Sequence, residues 1–150
     1  MDKAALDLGS GTLTLEELRM MLRSLPLNID YVDENDAFRY YSNGDRLFKL
    51  STDELGKNLE ECHSEKSMPM VKEITGAFRK GRNEPYRFVN LKEGRWLEVR
   101  YIPLRDEKGD YKGILELSQD ITEACNIKTP YVPPEFGELL EQSRRNNEHP

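Results

Sequence analysis

The sequence predicts an α+β domain in which two leading and three trailing strands form one antiparallel sheet and short helices cover one of its faces. Three observations predict it. Residues 95–123 alternate apolar and polar side chains on both sides of a Gly-containing polar turn, and close on Asp120-Ile121-Thr122, which ends a strand and starts a helix. Residues 28–44 read as a hairpin. Between these two blocks lie only short segments of helical spacing, which must pack over the sheet.

Taken in order, residues 1–13 are small and polar, with Gly9, Ser10 and Gly11, and read as a flexible leader. Thr14 and Glu17 form a capping box, Leu13 and Leu18 suit a hydrophobic staple, and Leu15, Leu18, Leu22 and Leu25 recur at helical spacing, so residues 14–24 should be an amphipathic helix stopped by Pro26. In the hairpin, Ile29 and Tyr31 share one side, a polar Glu34-Asn35-Asp36 turn follows, and Phe38, Tyr40 and Ser42 share a face. Leu50, Ser51, Glu54 and Leu55 repeat the staple and box, predicting a brief helix from Ser51 to Gly56. A longer helix should have Ser67 as N-cap, Pro69 in its first turn, Val71, Ile74 and Phe78 on one face, and Gly81 as its stop. A strand from Pro85 to Leu91 precedes the last two. Beyond Thr122, Pro130, Pro133 and Pro134 predict a stiff linker, and residues 135–145 a last short helix with Phe136, Leu139 and Leu140 on one side. The domain thus spans 14–125, with linker and tail at 126–150.

Composition narrows the function. With 37% hydrophobic and 33% charged residues, 150 residues make one domain with tails, and little apolar material is left for a large exposed patch. A net charge of −6 and the lack of a Lys/Arg-rich block argue against nucleic acid. No apolar run approaches membrane-spanning length and no secretory segment opens the chain, so a cytoplasmic location and no membrane partner are expected. Cys62 and Cys125 are too few for a disulfide framework and read as reduced thiols. One central histidine assembles no hydrolytic triad, no paired carboxylates flank a pocket, and Gly9-Ser10-Gly11 follows no strand, so no enzyme is expected.

The stretches VDENDAFRYYS, ELGKNLEECHSEKS and GILELSQDITE, in this order over about residues 20–125, resemble the PAS family of sensory domains. More narrowly they look like PAS domains attached to hemerythrin-like domains in bacteria and archaea, which share a D-E-N-x-x-x-R-Y-x-S opening, a C-H-x-x-K-S junction and a Q-D-I-T ending. The resemblance implies a five-stranded antiparallel sheet, a helical face enclosing a small ligand or cofactor cavity, and a role in signal transduction or dimerisation. Where many relatives have a second histidine, this chain has Pro69, and with only His63 and His149 it holds no di-iron site of its own. Leu59 stands where light-sensing members carry a flavin-reactive cysteine, so a covalent flavin photocycle is not expected.

Candidate ligand-binding residues follow. Leu115, Leu117 and Gln119 share one side of the last strand; if that side faces the cavity, Gln119 presents a buried amide that needs a partner, whether a ligand or nearby backbone. His63 is the candidate haem or metal ligand, against a structural role closing a short helix. Tyr31, Phe38, Tyr40, Phe48, Phe78, Phe88, Leu97, Val99 and Tyr101 either line a pocket or simply form the core. Trp96 falls opposite Leu97 and Val99, on an outer face suited to contact with the first helix or a second subunit. The expected protein is a non-catalytic sensor that binds a small molecule of unknown identity, forms a homodimer and engages a signalling partner. Two alternatives stand: a haem-based redox or gas sensor using His63, and a purely structural dimerisation module.

Overall fold

The computed structural model describes residues 4–44, 47, 48 and 52–147. The expected leader is instead a small hairpin, β1 (Ala5–Asp7) against β2 (Thr12–Thr14). Its glycines bend the chain where composition suggested only freedom: Gly9, at φ 79°, donates its N–H to Asp7 Oδ1 at 2.8 Å, and Leu8 N–H donates to the Gly11 carbonyl at 2.8 Å. Helix α1 (Leu15–Ser24) follows with the predicted capping box, Glu17 N–H donating to Thr14 Oγ1 at 3.2 Å and Thr14 N–H to Glu17 Oε2 at 2.7 Å. No residue of α1 is fully buried; Leu18 and Leu22 share a shallow cleft with Tyr40, while Leu15, Met20 and Met21 are exposed.

Strands β3 (Asn28–Asp33) and β4 (Phe38–Tyr41) form the hairpin. Asp33 Oδ1 accepts from the N–H groups of Asn35 and Ala37, holding the turn with Asp36 in the left-handed region at φ 62°. Of the helix expected from Ser51 to Gly56, Leu50 and Ser51 lie outside the described residues, and Thr52–Glu54 form a 3-10 turn. Next come α2 (Leu59–Cys62) and α3 (Met68–Arg79). Asn58 and Glu61 make a capping box on α2, in an N-x-x-E pattern visible in the sequence. Ser67 sits at the α3 N-cap but caps nothing: its backbone is helical, and its hydroxyl donates to the Ser64 carbonyl at 3.1 Å. Strands β5 (Tyr86–Lys92), β6 (Arg95–Arg105) and β7 (Tyr111–Asp120), helix α4 (Thr122–Asn126) and, beyond the prolines, α5 (Gly137–Asn147) complete the chain.

Strand order is β4-β3-β7-β6-β5, antiparallel throughout, so the hairpin and the meander meet at β3 and β7. Residues directly opposite in such pairs share a face. The inner face, under α2 and α3, carries Val32 opposite Ile114, Asp30 opposite Glu116, Glu116 opposite Tyr101, and Phe88 opposite Val99. Two apolar clusters fill it: Val32, Phe38 and Leu59, and Ile74, Phe78 and Ile114 with Tyr86, Phe88 and Tyr101 packed alongside.

This register corrects the facing proposed for β7. Ile114, Glu116 and Ser118 point inward, whereas Leu115, Leu117 and Gln119 lie on the outer face with Tyr31, Tyr40 and Arg100. Both sides of β7 carry large aliphatics, so apolar content did not select the inner one.

Gly113 stands where β7 runs close against β3. Its φ of 132° is accessible to glycine, and a Cβ placed there would stand 2.1 Å from the Val32 carbonyl oxygen. Gly113→Ala is expected to cost more than about 2 kcal/mol, read in urea denaturation as a lower midpoint at unchanged slope.

Candidate functional site

Where the two clusters fail to meet, a cavity of about 100 Å³ remains between the helices and the inner face. Val32 and Ile114 line it from the sheet and Leu59, Met70, Val71 and Ile74 from the helices, with His63, Thr75, Tyr101 and Glu116 as polar groups. The turn that ends α2 positions His63: its Nδ1 lies 2.9 Å from the Leu59 carbonyl, so in the neutral ring Nδ1 carries the proton and Nε2 is the acceptor. Tyr101 packs edge-on against Phe88, centroids 5.9 Å apart, and its hydroxyl makes no hydrogen bond among the described residues. Burial pushes the Tyr101 phenol up, and the carboxylates of Glu116 and Asp30 push it further, so it stays protonated.

Of the sequence candidates, His63 and Tyr101 line the cavity. Phe78 is fully buried in the core against Tyr86, and Phe88 and Val99 belong to the inner face without lining the cavity. Tyr31, Tyr40, Leu117 and Gln119 are placed elsewhere: all four are outer-face residues, with the Tyr31 hydroxyl donating to the Lys112 carbonyl at 3.2 Å and Tyr40 beside α1. Phe48 is 42% exposed in the loop after β4 and is not a lining residue. Leu59 and Glu116 went unselected, although the Asn58 capping box marks the first and strand alternation the second.

Gln119 finds its partner on the outer face. Its amide donates to Glu98 Oε2 at 2.7 Å, while Arg87 and Arg100 donate to Glu98 Oε1, Arg100 from 3.0 Å; the Glu98 side chain is 3% exposed beneath these groups. Burial opposes its ionisation, but the hydrogen bonds from Arg87, Gln119 and Arg100 outweigh it and hold the carboxyl below its usual range. Around the cluster, Val89, Leu91 and Trp96 are exposed.

The sheet's exit is fastened separately. Asp120 Oδ1 accepts from both the N–H and the hydroxyl of Thr122, Thr122 Oγ1 accepts from Trp96 N–H at 2.9 Å, Ile121 N–H donates to the Trp96 carbonyl at 2.9 Å, and Arg95 Nε donates to Asp120 Oδ2 at 2.8 Å. The Thr122 hydroxyl, then its N–H, then Arg95 bring the Asp120 carboxyl down to about 2. Cys62, by contrast, is pushed up to about 11 by burial and then by Glu54, which keeps it an inert thiol at neutral pH. Among the described residues no group of three His, Cys, Asp or Glu side chains could hold a metal ion, and no helix is long and apolar enough to cross a membrane.

A cup of five antiparallel strands with helices laid across it is shared with known proteins. The model of the PAS domain matches residues 18–122. The chain belongs to the PAS family. Among solved structures, a C-terminal domain from Streptococcus mutans is 30% identical with a TM-score of 0.78, over 83% of this chain and 98% of that one. The PAS domain of BvgS from Bordetella pertussis is 21% identical with a TM-score of 0.53, over 89% and 96% of the two chains. A sensory box sensor histidine kinase from Vibrio cholerae is 16% identical with a TM-score of 0.50, over 70% and 90%. These last two share the fold alone. No curated protein matches the chain. PAS domains are typical sensory modules of signal transduction, generally without catalysis.

Two predictions test the polar clusters. Because the folded Asp120 and Glu98 carboxyls titrate below their unfolded values, their stabilisation is present above about pH 4 and is lost as pH falls, for Asp120 toward about 2. Asp120→Asn should therefore flatten the dependence of the melting temperature on pH between about 4 and 2, read by circular dichroism. Glu98→Ala strands two guanidiniums and an amide and should destabilise by about 1–2 kcal/mol, with Glu98→Gln recovering part of the loss in urea denaturation.

Proposed function

We propose that this PAS domain is a non-catalytic, cytoplasmic sensory module that holds a small molecule in its cup, dimerises through α1 and the outer sheet face, and passes the signal to a partner protein. The cavity carries this reading: an interior space with an imidazole, a phenol and a carboxylate on its wall suits recognition, and no nucleophile with an activating base accompanies it among the described residues. The motifs around residues 33–42, 62–67 and 119–122 further suit a domain of the kind joined to hemerythrin-like proteins.

Dimerisation is supported by what the N-terminal arm leaves uncovered. Leu6, Leu8, Leu15, Met20, Met21 and Leu25 are each at least 41% exposed, and an isolated two-stranded hairpin is marginal in water. A second copy would cover this arm and the Val89, Leu91 and Trp96 surface together. Signalling follows if the ligand binds one arrangement of the arm or of the Asp120–Thr122 exit better than another.

Haem fits this cavity poorly. A space near 150 Å³ takes benzene, so a porphyrin does not enter about 100 Å³ without displacing α2 and α3. The space between the two clusters favours ligand binding over the purely structural alternative, which calls for a filled core.

Native mass spectrometry of the protein purified from its expression host, with hydrogen exchange before and after ligand removal, tests the sensory reading. A retained small molecule whose removal changes protection in α1 or at the exit is the expected outcome; identical exchange would overturn the mechanism. For the dimer, Leu15→Glu combined with Met21→Glu should give a monomer by light scattering with the fold intact. A wild-type monomer, or an unaltered dimer in the variant, would refute that interface.

A further inference from the structure

We infer that the cavity takes a small primary amine, bound as its ammonium by His63, Tyr101 and Glu116 with its alkyl body among Leu59, Val71 and Ile74. The inference rests on the sensory reading above and specifies the chemical class of its ligand.

Size sets the first limit. Scaling from the roughly 150 Å³ that benzene requires, a space of about 100 Å³ holds about four or five non-hydrogen atoms. The lining sets the second: aliphatic residues dominate it, so most of those atoms are hydrocarbon.

The polar groups define the head. The Leu59 carbonyl fixes the proton of neutral His63 on Nδ1, so Nε2 offers a lone pair and no donor. Tyr101 presents a hydroxyl oxygen that no described group occupies, and Glu116 presents a carboxylate. Glu116 also engages another group, but a carboxylate has about four acceptor sites, which leaves room for a second donor. Three acceptors lining one cavity, His63 from the helix side and Tyr101 and Glu116 from the sheet, match the three N–H donors of an ammonium. An alcohol of the same size has one donor to share among them. A carboxylate ligand would bring its charge against Glu116 and against Asp30, which stands opposite Glu116 on the inner face. Charge then separates the candidates, because a hydrogen bond between ionised partners is roughly twice as strong as a neutral one.

The test titrates the full chain at pH 8 with n-butylamine, n-butanol and n-butyrate, following the amide and methyl resonances of Val71, Ile74 and Ile114 by NMR. Butylamine should bind at least about tenfold more tightly than butanol, and butyrate more weakly than either. Glu116→Gln should reduce the preference for amine over alcohol at least about threefold, and Tyr101→Phe should weaken butylamine while leaving the fold intact. If butanol or butyrate binds as tightly as butylamine, or if neither variant alters the preference, the amine assignment falls and the cavity remains a ligand site of another class. If none of the three probes moves the lining resonances, the amine assignment falls together with the sensory reading.

Discussion

The pairing of β3 with β7 is the constraint on which everything else depends. A hairpin and a three-stranded meander become one sheet only through it, by pairing residues eighty to ninety apart in the chain, from Asn28 opposite Ser118 to Asp33 opposite Gly113. Gly113 is what lets the backbones close: with no Cβ, the Val32 carbonyl can approach to where any other side chain would begin. Once β3 and β7 are joined, the helices between β4 and β5 have one place to go, across the inner face, and Ile74, Phe78 and Ile114 pack where α3 crosses β7.

The two faces then solve different problems with the same strands. Inside, aromatic and aliphatic groups exclude water but stop short of closing, because His63, Tyr101 and Glu116 stand where further hydrocarbon would have completed the core. Outside, Glu98 on β6 is satisfied by neighbours on both adjacent strands, Arg87 on β5 and Gln119 on β7, together with Arg100 on its own strand. A carboxylate so enclosed ties three strands laterally, at a position where exposed Trp96 and Leu91 alone would have left only apolar surface.

Much of the fold was legible because each element carried its own local cue. Thr14 with Glu17 announced α1, the polar turn at Glu34–Asp36 announced the hairpin, and alternation announced β6 and β7. The five-stranded cup follows from their order. The facing of β7 was not legible for a physical reason. Ile114 and Leu115, adjacent in sequence and both aliphatic, point to opposite sides, so only the partner strand decides which is buried. Tyr31, Leu117 and Gln119 moved outward together for that single reason, whereas Tyr40, expected to share a face with Phe38, was turned outward by the register shift between Tyr31 and Val32 that leaves Phe38 inside opposite Val32. The hairpin at residues 5–14 was missed differently: its cue is two turn-making glycines, which composition cannot distinguish from a flexible tail until Leu6 and Leu13 are seen to pair.

Inner and outer faces are not independent, because β6 and β7 serve both. Tyr101 and Glu116, opposite each other on the cavity wall, each lie three residues along their strands from Glu98 and Gln119, opposite each other outside, and both strands run into the Arg95, Trp96, Asp120 and Thr122 fastening. A displacement of β6 against β7 would therefore strain the cavity wall, the Glu98 cluster and the exit together. Were a guest in the cavity coupled to a contact at the exit, each would change the other's affinity by the same factor.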